Sequence, residues 1–281
     1  MLKFKAKKYP YNIVLGEGYI PYPFLRDSQG DREIYCVSPL HGRSFVIVQN
    51  EGRWVVSKGN GLSYSKYTFL DTSKIGDTVW GALFKENAIR DYTIGQEIAK
   101  LGIKTNLMEY VLEIDTGMRF ANVGRNDKPY LLQYSVECPY RICDFAFMPM
   151  DFLKKELSKW KKMNGMKRSE YYISAANLLI RNLRIMHDNN IMHNAIHVQN
   201  YTWALELVDF ESSRTEATPY DNREYEEYYP LLMKSEFIQT YEVINYIAWC
   251  LGEKMDSKLI DALFMDYGFC FNSVSYTHLT L

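Results

Sequence analysis

The sequence predicts an α+β fold of two lobes, a β-rich one followed by a helical one. Three observations lead there. Short β-branched runs set off by glycine turns cluster in the first half of the 281 residues. Apolar residues at helical spacing begin near Asn87 and dominate beyond Pro149. No internal repeat and no low-complexity linker interrupts either half. The first element is a hairpin, because Ser44-Phe45-Val46-Ile47-Val48 and Trp54-Val55-Val56 flank Asn50-Glu51-Gly52. A polar, glycine-bearing loop follows from Lys58 to Tyr64. From Asn87 to Leu101 the residues Ile89, Tyr92, Ile94, Ile98 and Leu101 recur as on one helix face, and Gly102 supplies the stop. Leu131 to Val136 predicts another strand. Beyond Pro149, Phe152, Leu153, Leu157, Trp160 and Met163 share one side of a helix, with Lys154, Lys155, Lys159 and Lys161 largely elsewhere, as on a solvated face. Ser169 to His187 is apolar almost all round, as a buried helix is, and it delivers the chain into a loop at His193. The expected boundaries are 1–148 for the first lobe and 149–272 for the second, which would include the loop 193–211. The tail 273–281, SVSYTHLTL, resembles a translated sequencing-adapter read-through, so the natural chain is expected to continue differently beyond about Asn272 and His278 to carry no function.

Charge and composition exclude several classes. With 33 lysines and arginines against 34 acidic residues, the net charge is −1. Nucleic acids and anionic membranes select a strong basic excess, so neither is expected as a partner. The basic start MLKFKAKKYPYNIVL is not followed by a sustained apolar run, and no segment approaches the ~20 apolar residues of a membrane span. A soluble, cytoplasmic protein is expected. Cys36, Cys138, Cys143, Cys250 and Cys270 are odd in number and form no Cys-x-x-Cys pair, which predicts reduced, packed thiols rather than disulfides or a zinc site. The histidines form no H-E-x-x-H pattern.

The chemistry concentrates in His193 to Glu211, HNAIHVQNYTWALELVDFE. Asn200 and Asp209 supply two hard oxygen donors, as magnesium bridging nucleotide phosphates requires. Leu207-Val208-Asp209-Phe210 reads as a short strand with the aspartate at its end. A β-rich lobe followed by a helical lobe is the order of protein-kinase-like folds. In protein kinases the loop H-R-D-x-x-x-x-N carries an aspartate that accepts the substrate's hydroxyl proton. Ala195 stands at that position, so an ordinary kinase mechanism is not expected.

Four segments, in order, resemble the selenoprotein O family, kinase-fold proteins that transfer AMP from ATP to protein hydroxyls. His193 to Glu211 aligns without gaps with the family's H-G-V-x-N-T-D-N loop and following D-Y-G aspartate. WVVSKGNGLSYS, from Trp54, resembles its lysine strand and K-G-[SA]-G turn. AIRDYTIGQEIAKLGIKT resembles its S-I-R-E-Y helix and L-G-I-P-T ending, and QYSVECPYRICDF resembles R-V-A-P-S-x-x-R-F-G-x-F. The resemblance implies ATP and Mg2+ as cofactors, a protein Ser, Thr or Tyr hydroxyl as acceptor, and a nucleotide bound between the lobes in the reverse of the kinase orientation. Family members are longer, with further helices and often a terminal redox cysteine or selenocysteine.

Carried over position by position, Lys58 becomes the phosphate-binding lysine, beside Gly59 of the turn, and Asp91 its carboxylate partner where the family has glutamate. Arg141 matches the second arginine of a phosphate-contacting pair, and the first falls on Tyr134. Gly42 and Arg43, in Leu40-His41-Gly42-Arg43, stand at a G-D-G-R turn implied to contact ATP, and Asp77 at a later G-D-G turn. Asn200 and Asp209 are the implied metal ligands. The family's proton acceptor falls on Gln199, whose amide orients a hydroxyl but takes no proton at neutral pH, leaving His197 as a substitute. Bland readings stand beside these: a solvated loop lysine at Lys58, surface carboxylates at Asp91 and Glu97 with Glu97 the rival partner of Lys58, a structural cap at Arg141, turn residues at Asn200 and Asp209. His193 reads as a hydrogen-bonded residue bracing its loop. The expected activity is transfer of AMP to protein. The alternatives are a catalytically impaired pseudokinase that acts as a nucleotide-binding or protein-interaction module, and an atypical protein kinase.

Overall fold

The computed structural model describes residues 3–9, 16–21, 35–36, 44–59, 83–115, 130–146, 148–164, 171–215 and 224–268. They form a mixed α and β structure that divides into two compact units. The first comprises Met1–Met148 and Gln199–Ser213, the second Pro149–Val198 and Arg214–Leu281. Residues 199–213, assigned above to the helical part, therefore belong to the β-rich unit.

The first unit is built on an antiparallel sheet of seven strands: β1 (Lys3–Tyr9), β2 (Gly16–Pro21), β3 (Tyr35–Cys36), β4 (Ser44–Asn50), β5 (Arg53–Lys58), β6 (Leu107–Asp115) and β7 (Tyr130–Val136). Their order is β2-β1-β6-β7-β5-β4-β3. β4 and β5 form the expected hairpin, turning at Glu51 (φ 50°) and Gly52 (φ 79°). Two consecutive positive φ values give the turn whose twist matches that of the flanking strands. β5 then lies inside the sheet between β4 and β7, and its last four residues, Val55 to Lys58, are all buried.

Helix α1 (Lys85–Lys100) follows and packs on β6 and β7. It ends as expected at Gly102, whose φ of 75° lets Ile103 N reach back to the carbonyl of Ile98. Its inward face is rotated from the expected one: Ala88, Asp91, Tyr92, Ile94, Gly95 and Ile98 are buried, while Ile89 is exposed. Beneath it Val56, Leu83, Ala88, Tyr92, Val111, Tyr130, Leu132, Tyr134, Val136 and Val208 make one continuous core. The segment Leu207 to Phe210 is not a strand. Leu207 makes only isolated bridges, to Thr105 and to Tyr201, and beyond it Val208 N donates to the Asn200 carbonyl and Phe210 N to the Asp91 side chain rather than to a neighbouring strand.

The second unit carries α2 (Met150–Asn164), α3 (Tyr171–Asp188), α4 (Glu224–Cys250) and α5 (Ser257–Asp266). α3 packs on both α4 and α5. Its core side is fully covered at Leu179, Ile180, Leu183 and Met186, but Asn177, Arg181, Arg184 and Asp188 form a solvent stripe, so it is not apolar all round. α5 begins at Asp256, whose carboxylate accepts from Lys258 N and Leu259 N and so satisfies two of the amides a helix start leaves open. On the loop after α3, Glu236 takes His187 Nε2 at 2.8 Å and Asn194 N at 2.5 Å, which pins the backbone next to the buried His193. Among the described residues, no helix is long and apolar enough to cross a membrane.

Candidate functional site

A buried charge cluster in the first unit gathers most of the residues singled out above. Lys58, the last residue of β5, is 1% exposed. An ammonium group so deep is tolerated only when it is paired. Its Nζ lies 2.6 Å from Asp91 Oδ2, 2.5 Å from Asp209 Oδ1 and 3.5 Å from Glu211 Oε2. The carboxylate that α1 brings to Lys58 is thus Asp91. Glu97 follows six residues later, at a different angle around the helix, and is half-buried.

Aspartate is short, so strand and helix must come close, and on the same inward face Gly95 packs against β6 and the returning loop. A Cβ at Gly95 would lie 2.3 Å from Met108 Cε and 3.2 Å from the Phe210 ring. One turn earlier on the same face, Asp91 can use both oxygens. Oδ2 takes Lys58, and Oδ1 accepts from Phe210 N at 3.0 Å, which ties the helix to the backbone beside Asp209. Burial raises the pKa of Asp91 above the ordinary carboxylate range, with Lys58 pulling the other way and Asp209 and Glu211 adding to the rise. Asp209 itself has φ 75°, a left-handed conformation that aspartate tolerates better than most residues.

Gly59 holds the lysine end of β5 in place. It has φ 94°, and a Cβ there would sit 2.6 Å from the Tyr130 carbonyl oxygen and 2.8 Å from Leu83 Cγ. Its demand for glycine thus comes from its own backbone and these neighbours, independent of any ligand.

Arg141 forms the other pole of the cluster. It is 3% exposed, and its Nη1 donates to the Gln199 carbonyl at 2.7 Å and to Asn200 Oδ1 at 3.2 Å, with Asp209 Oδ2 at 3.8 Å. Its backbone N donates to Asp144 Oδ2 at 2.8 Å. Burial works to lower the Arg141 pKa, but Tyr134 and Asp209 outweigh it and the net direction is upward, so the guanidinium stays charged. Tyr134, where the resemblance implies a second arginine, is buried in the core beneath α1. Gln199 enters the cluster through its backbone carbonyl.

Two cations, Lys58 and Arg141, face three carboxylates, Asp91, Asp209 and Glu211, which leaves one net negative charge if all five are ionised. Glu211 is the member the motif analysis misses. Among the described residues no group of three or more His, Cys, Asp or Glu side chains is arranged to hold a metal ion. Asn200 Oδ1 and Asp209 Oδ2 nevertheless both lie near Nη1 of Arg141, while Asp209 Oδ1 is on Lys58 Nζ, and a mixed amide and carboxylate oxygen set suits magnesium chemically. His197 lies in the second unit and is exposed. Gly42, Arg43 and Asp77 lie outside the described residues.

A second buried carboxylate in the first unit, Glu206, has no counterpart among the expected site residues. It accepts from the backbone N of Glu137 at 2.9 Å, from Arg53 Nη2 at 2.8 Å and from Thr202 Oγ1 at 3.0 Å, so it stitches β5 and the end of β7 to the 199–213 segment. Burial raises its pKa, against the pull of the Glu137 amide and of Arg53. No family model matches the chain, and no curated protein matches it.

Proposed function

We propose that the chain has a protein-kinase-like fold of β-rich and helical lobes and transfers AMP from ATP to protein Ser, Thr or Tyr hydroxyls at the Lys58–Asp91–Asp209 cluster. One observation carries the reading: Lys58 Nζ bridges a carboxylate from a helix and a carboxylate from the loop that also contains Asn200. Protein kinases use a strand lysine paired to a helix carboxylate, with an asparagine and a later aspartate as metal ligands. The strand order supports the same reading, since β5 bears the lysine, α1 follows it, and β7 separates β5 from β6.

In the reaction the hydroxyl oxygen of the protein acceptor forms a bond to the α-phosphorus of ATP. The bond from that phosphorus to the bridging oxygen of pyrophosphate breaks, and the hydroxyl proton is released. Lys58 and Arg141 offset the negative charge of the phosphates, and Asp91 keeps Lys58 oriented. Asn200 and Asp209 would hold magnesium, which when bound supplies further neutralisation of phosphate charge. Gln199 offers an amide that orients the acceptor hydroxyl. Positioning and charge supply most of the acceleration in such transfers, whereas a general base adds about 100- to 10,000-fold, so loss of the usual aspartate slows rather than abolishes the step. The second reading, a nucleotide-binding module without transfer, draws on Ala195 and Gln199, which leave no carboxylate at either of the two base positions.

The test is incubation with magnesium and ATP labelled at the α- or the γ-phosphate, on the protein and on a cell lysate, beside Asp209→Ala. Protein-bound α-label that disappears in Asp209→Ala is the expected result. Transfer of γ-label alone means phosphorylation, and ATP binding without either label means the non-catalytic module. Labelling or ATP binding unchanged in both Asp209→Ala and Lys58→Ala removes the site.

A further inference from the structure

We propose that Arg141 is a resident counter-cation that competes with a divalent metal ion for the oxygens of Asn200 and Asp209. The cluster then has two states, one held by the guanidinium and one by the metal. The proposal deepens the reading above and rests on it for its functional meaning, but it concerns the metal alone and is tested without nucleotide.

The geometry carries it. A single nitrogen, Arg141 Nη1, gathers an amide oxygen (Asn200 Oδ1, 3.2 Å), a backbone carbonyl oxygen (Gln199, 2.7 Å) and a carboxylate oxygen (Asp209 Oδ2, 3.8 Å). These are three oxygen types that a hard divalent cation takes as ligands. Two cations cannot share that position, because at such separations in a poorly screened interior their repulsion is severe. The guanidinium is well placed to hold it. It is weakly hydrated and inexpensive to bury, whereas magnesium gives up its water reluctantly. Its backbone is also anchored, through Arg141 N to Asp144 Oδ2 at 2.8 Å.

Displacement has a cost unless Arg141 finds a new partner. A phosphate group is such a partner, since its oxygens match the guanidinium fork. Metal alone is therefore held weakly, and a metal arriving with a phosphate compound is held well because Arg141 changes partners in the same step. A lysine at this position would give a point charge without the fork, which makes the exchange specific to arginine.

The probe is Mn2+ alone, titrated by electron paramagnetic resonance into wild type, Arg141→Gln and the double variant Arg141→Gln with Asp209→Asn. Glutamine removes the charge and ends two bonds short of the Nη1 position, so the oxygens that Nη1 gathers lose their cation. The expected result is Mn2+ binding at least about tenfold tighter in Arg141→Gln than in wild type, a shift that loss of one like-charge repulsion readily supplies, and abolished in the double variant. Equal or weaker binding in a folded Arg141→Gln protein overturns the proposal. Should Arg141→Gln fail to fold, wild-type protein with 15N-labelled arginine decides instead. A guanidinium resonance that moves on addition of Mg2+ with inorganic phosphate, and does not in Asp209→Asn, supports the exchange, whereas no guanidinium response to Mg2+ with inorganic phosphate refutes it. Failure of the nucleotide reading shows separately, as ATP binding or labelling that ignores substitutions at Lys58 and Asp209.

Discussion

Replacing Lys58 by methionine tests the charge cluster most directly, because it removes the cation and keeps a side chain of similar length. In the wild type, Nζ stands within 3.5 Å of three carboxylates. In Lys58→Met, Asp91 and Glu211 lose that cation and Asp209 keeps Arg141 at 3.8 Å. Removing one partner of a buried ion pair costs about 3–5 kcal/mol. The methionine recovers little, since the lysine stem is already buried, and about 1 kcal/mol is a fair allowance for its terminal atoms. A net loss of about 3 kcal/mol at pH 7 is expected, roughly half of a modest domain's stability. The pH dependence is the sharper signature. Lys58 pulls the Asp91 pKa down, so its loss sends that pKa, already raised by burial, further up. A carboxyl whose folded-state pKa exceeds its unfolded value binds more protons folded than unfolded in the interval between them. Its favourable contribution is complete below the unfolded pKa and is lost as pH rises through the folded one. Each proton taken up changes stability by up to about 1.4 kcal/mol per pH unit, so the deficit should shrink by about 1–2 kcal/mol between pH 7 and pH 5. The assay is urea unfolding at several pH values, followed through the transition of the first unit. A deficit independent of pH would refute the account, because it would mean that the loss is one of packing and not of charge.

Two further perturbations separate the cluster from its supports. Gly59→Ala places a Cβ at φ 94° and 2.6 Å from a backbone oxygen, whereas Gly52→Ala (φ 79°) meets nothing within 4 Å. Conformational strain of about 1–3 kcal/mol applies to both, so the clash makes Gly59→Ala the more damaging, and equal thermal midpoints for the two would remove the packing argument. Glu206, with a pKa raised mainly by burial, contributes stability that is greatest below its unfolded pKa and declines as pH rises through the folded one. Glu206→Gln should flatten that decline as pH rises above the ordinary glutamate range, by up to about 1.4 kcal/mol per pH unit, and slopes identical to wild type would remove the burial argument for Glu206.

Much of the cluster is legible through the motif resemblance, which implies Lys58, Asp91, Arg141, Asn200 and Asp209 together. A lysine before a glycine turn, an aspartate in an amphipathic stretch, and an asparagine and aspartate on one loop are visible without coordinates. What three-dimensional packing alone supplies was not. Glu211 follows an aromatic residue in a polar run and reads as solvated, yet α1 and the loop fold it toward Lys58. Apolar spacing puts Ile89, Tyr92, Ile94, Ile98 and Leu101 on one face of α1, whereas the actual inward face also includes Asp91 and Gly95, because the ion pair to Lys58 and the packing against Met108 and Phe210 outweigh hydropathy there. Among the elements, β6 was readable in principle: Met108, Tyr110, Leu112 and Ile114 alternate with Glu109, Val111, Glu113 and Asp115. α4 was obscured by Pro230, a residue that usually breaks a helix, set within an acidic and tyrosine-rich stretch. The strand expected at Asp209 failed because its backbone amides are spent on Asn200 and Asp91 instead of a ladder.

The membership of Gln199–Ser213 in the first unit explains how residues 58, 91, 141 and 209 meet at all. Along the chain, residues 149–198 are an insertion between two parts of one compact unit, and its entry and exit must be held together or the cluster would lose Asn200 and Asp209. The structure meets that requirement at the edge of the cluster. Ile142 N donates to the Tyr201 carbonyl at 2.8 Å and Trp203 N to the Tyr140 carbonyl at 3.0 Å, so Arg141 and Thr202 pair as an antiparallel bridge. Phe145 and Trp203 add a ring contact at 5.8 Å, and Glu206 ties the same segment to Glu137 and Arg53. Arg141 thus serves two purposes with separate groups: its backbone closes the insertion and its guanidinium gathers the oxygens at the start of the returning segment. A substitution at Arg141 that preserves the backbone keeps this bridge and removes the guanidinium with its bonds to Gln199 and Asn200, which is why glutamine there tests the side chain's role apart from the architectural one.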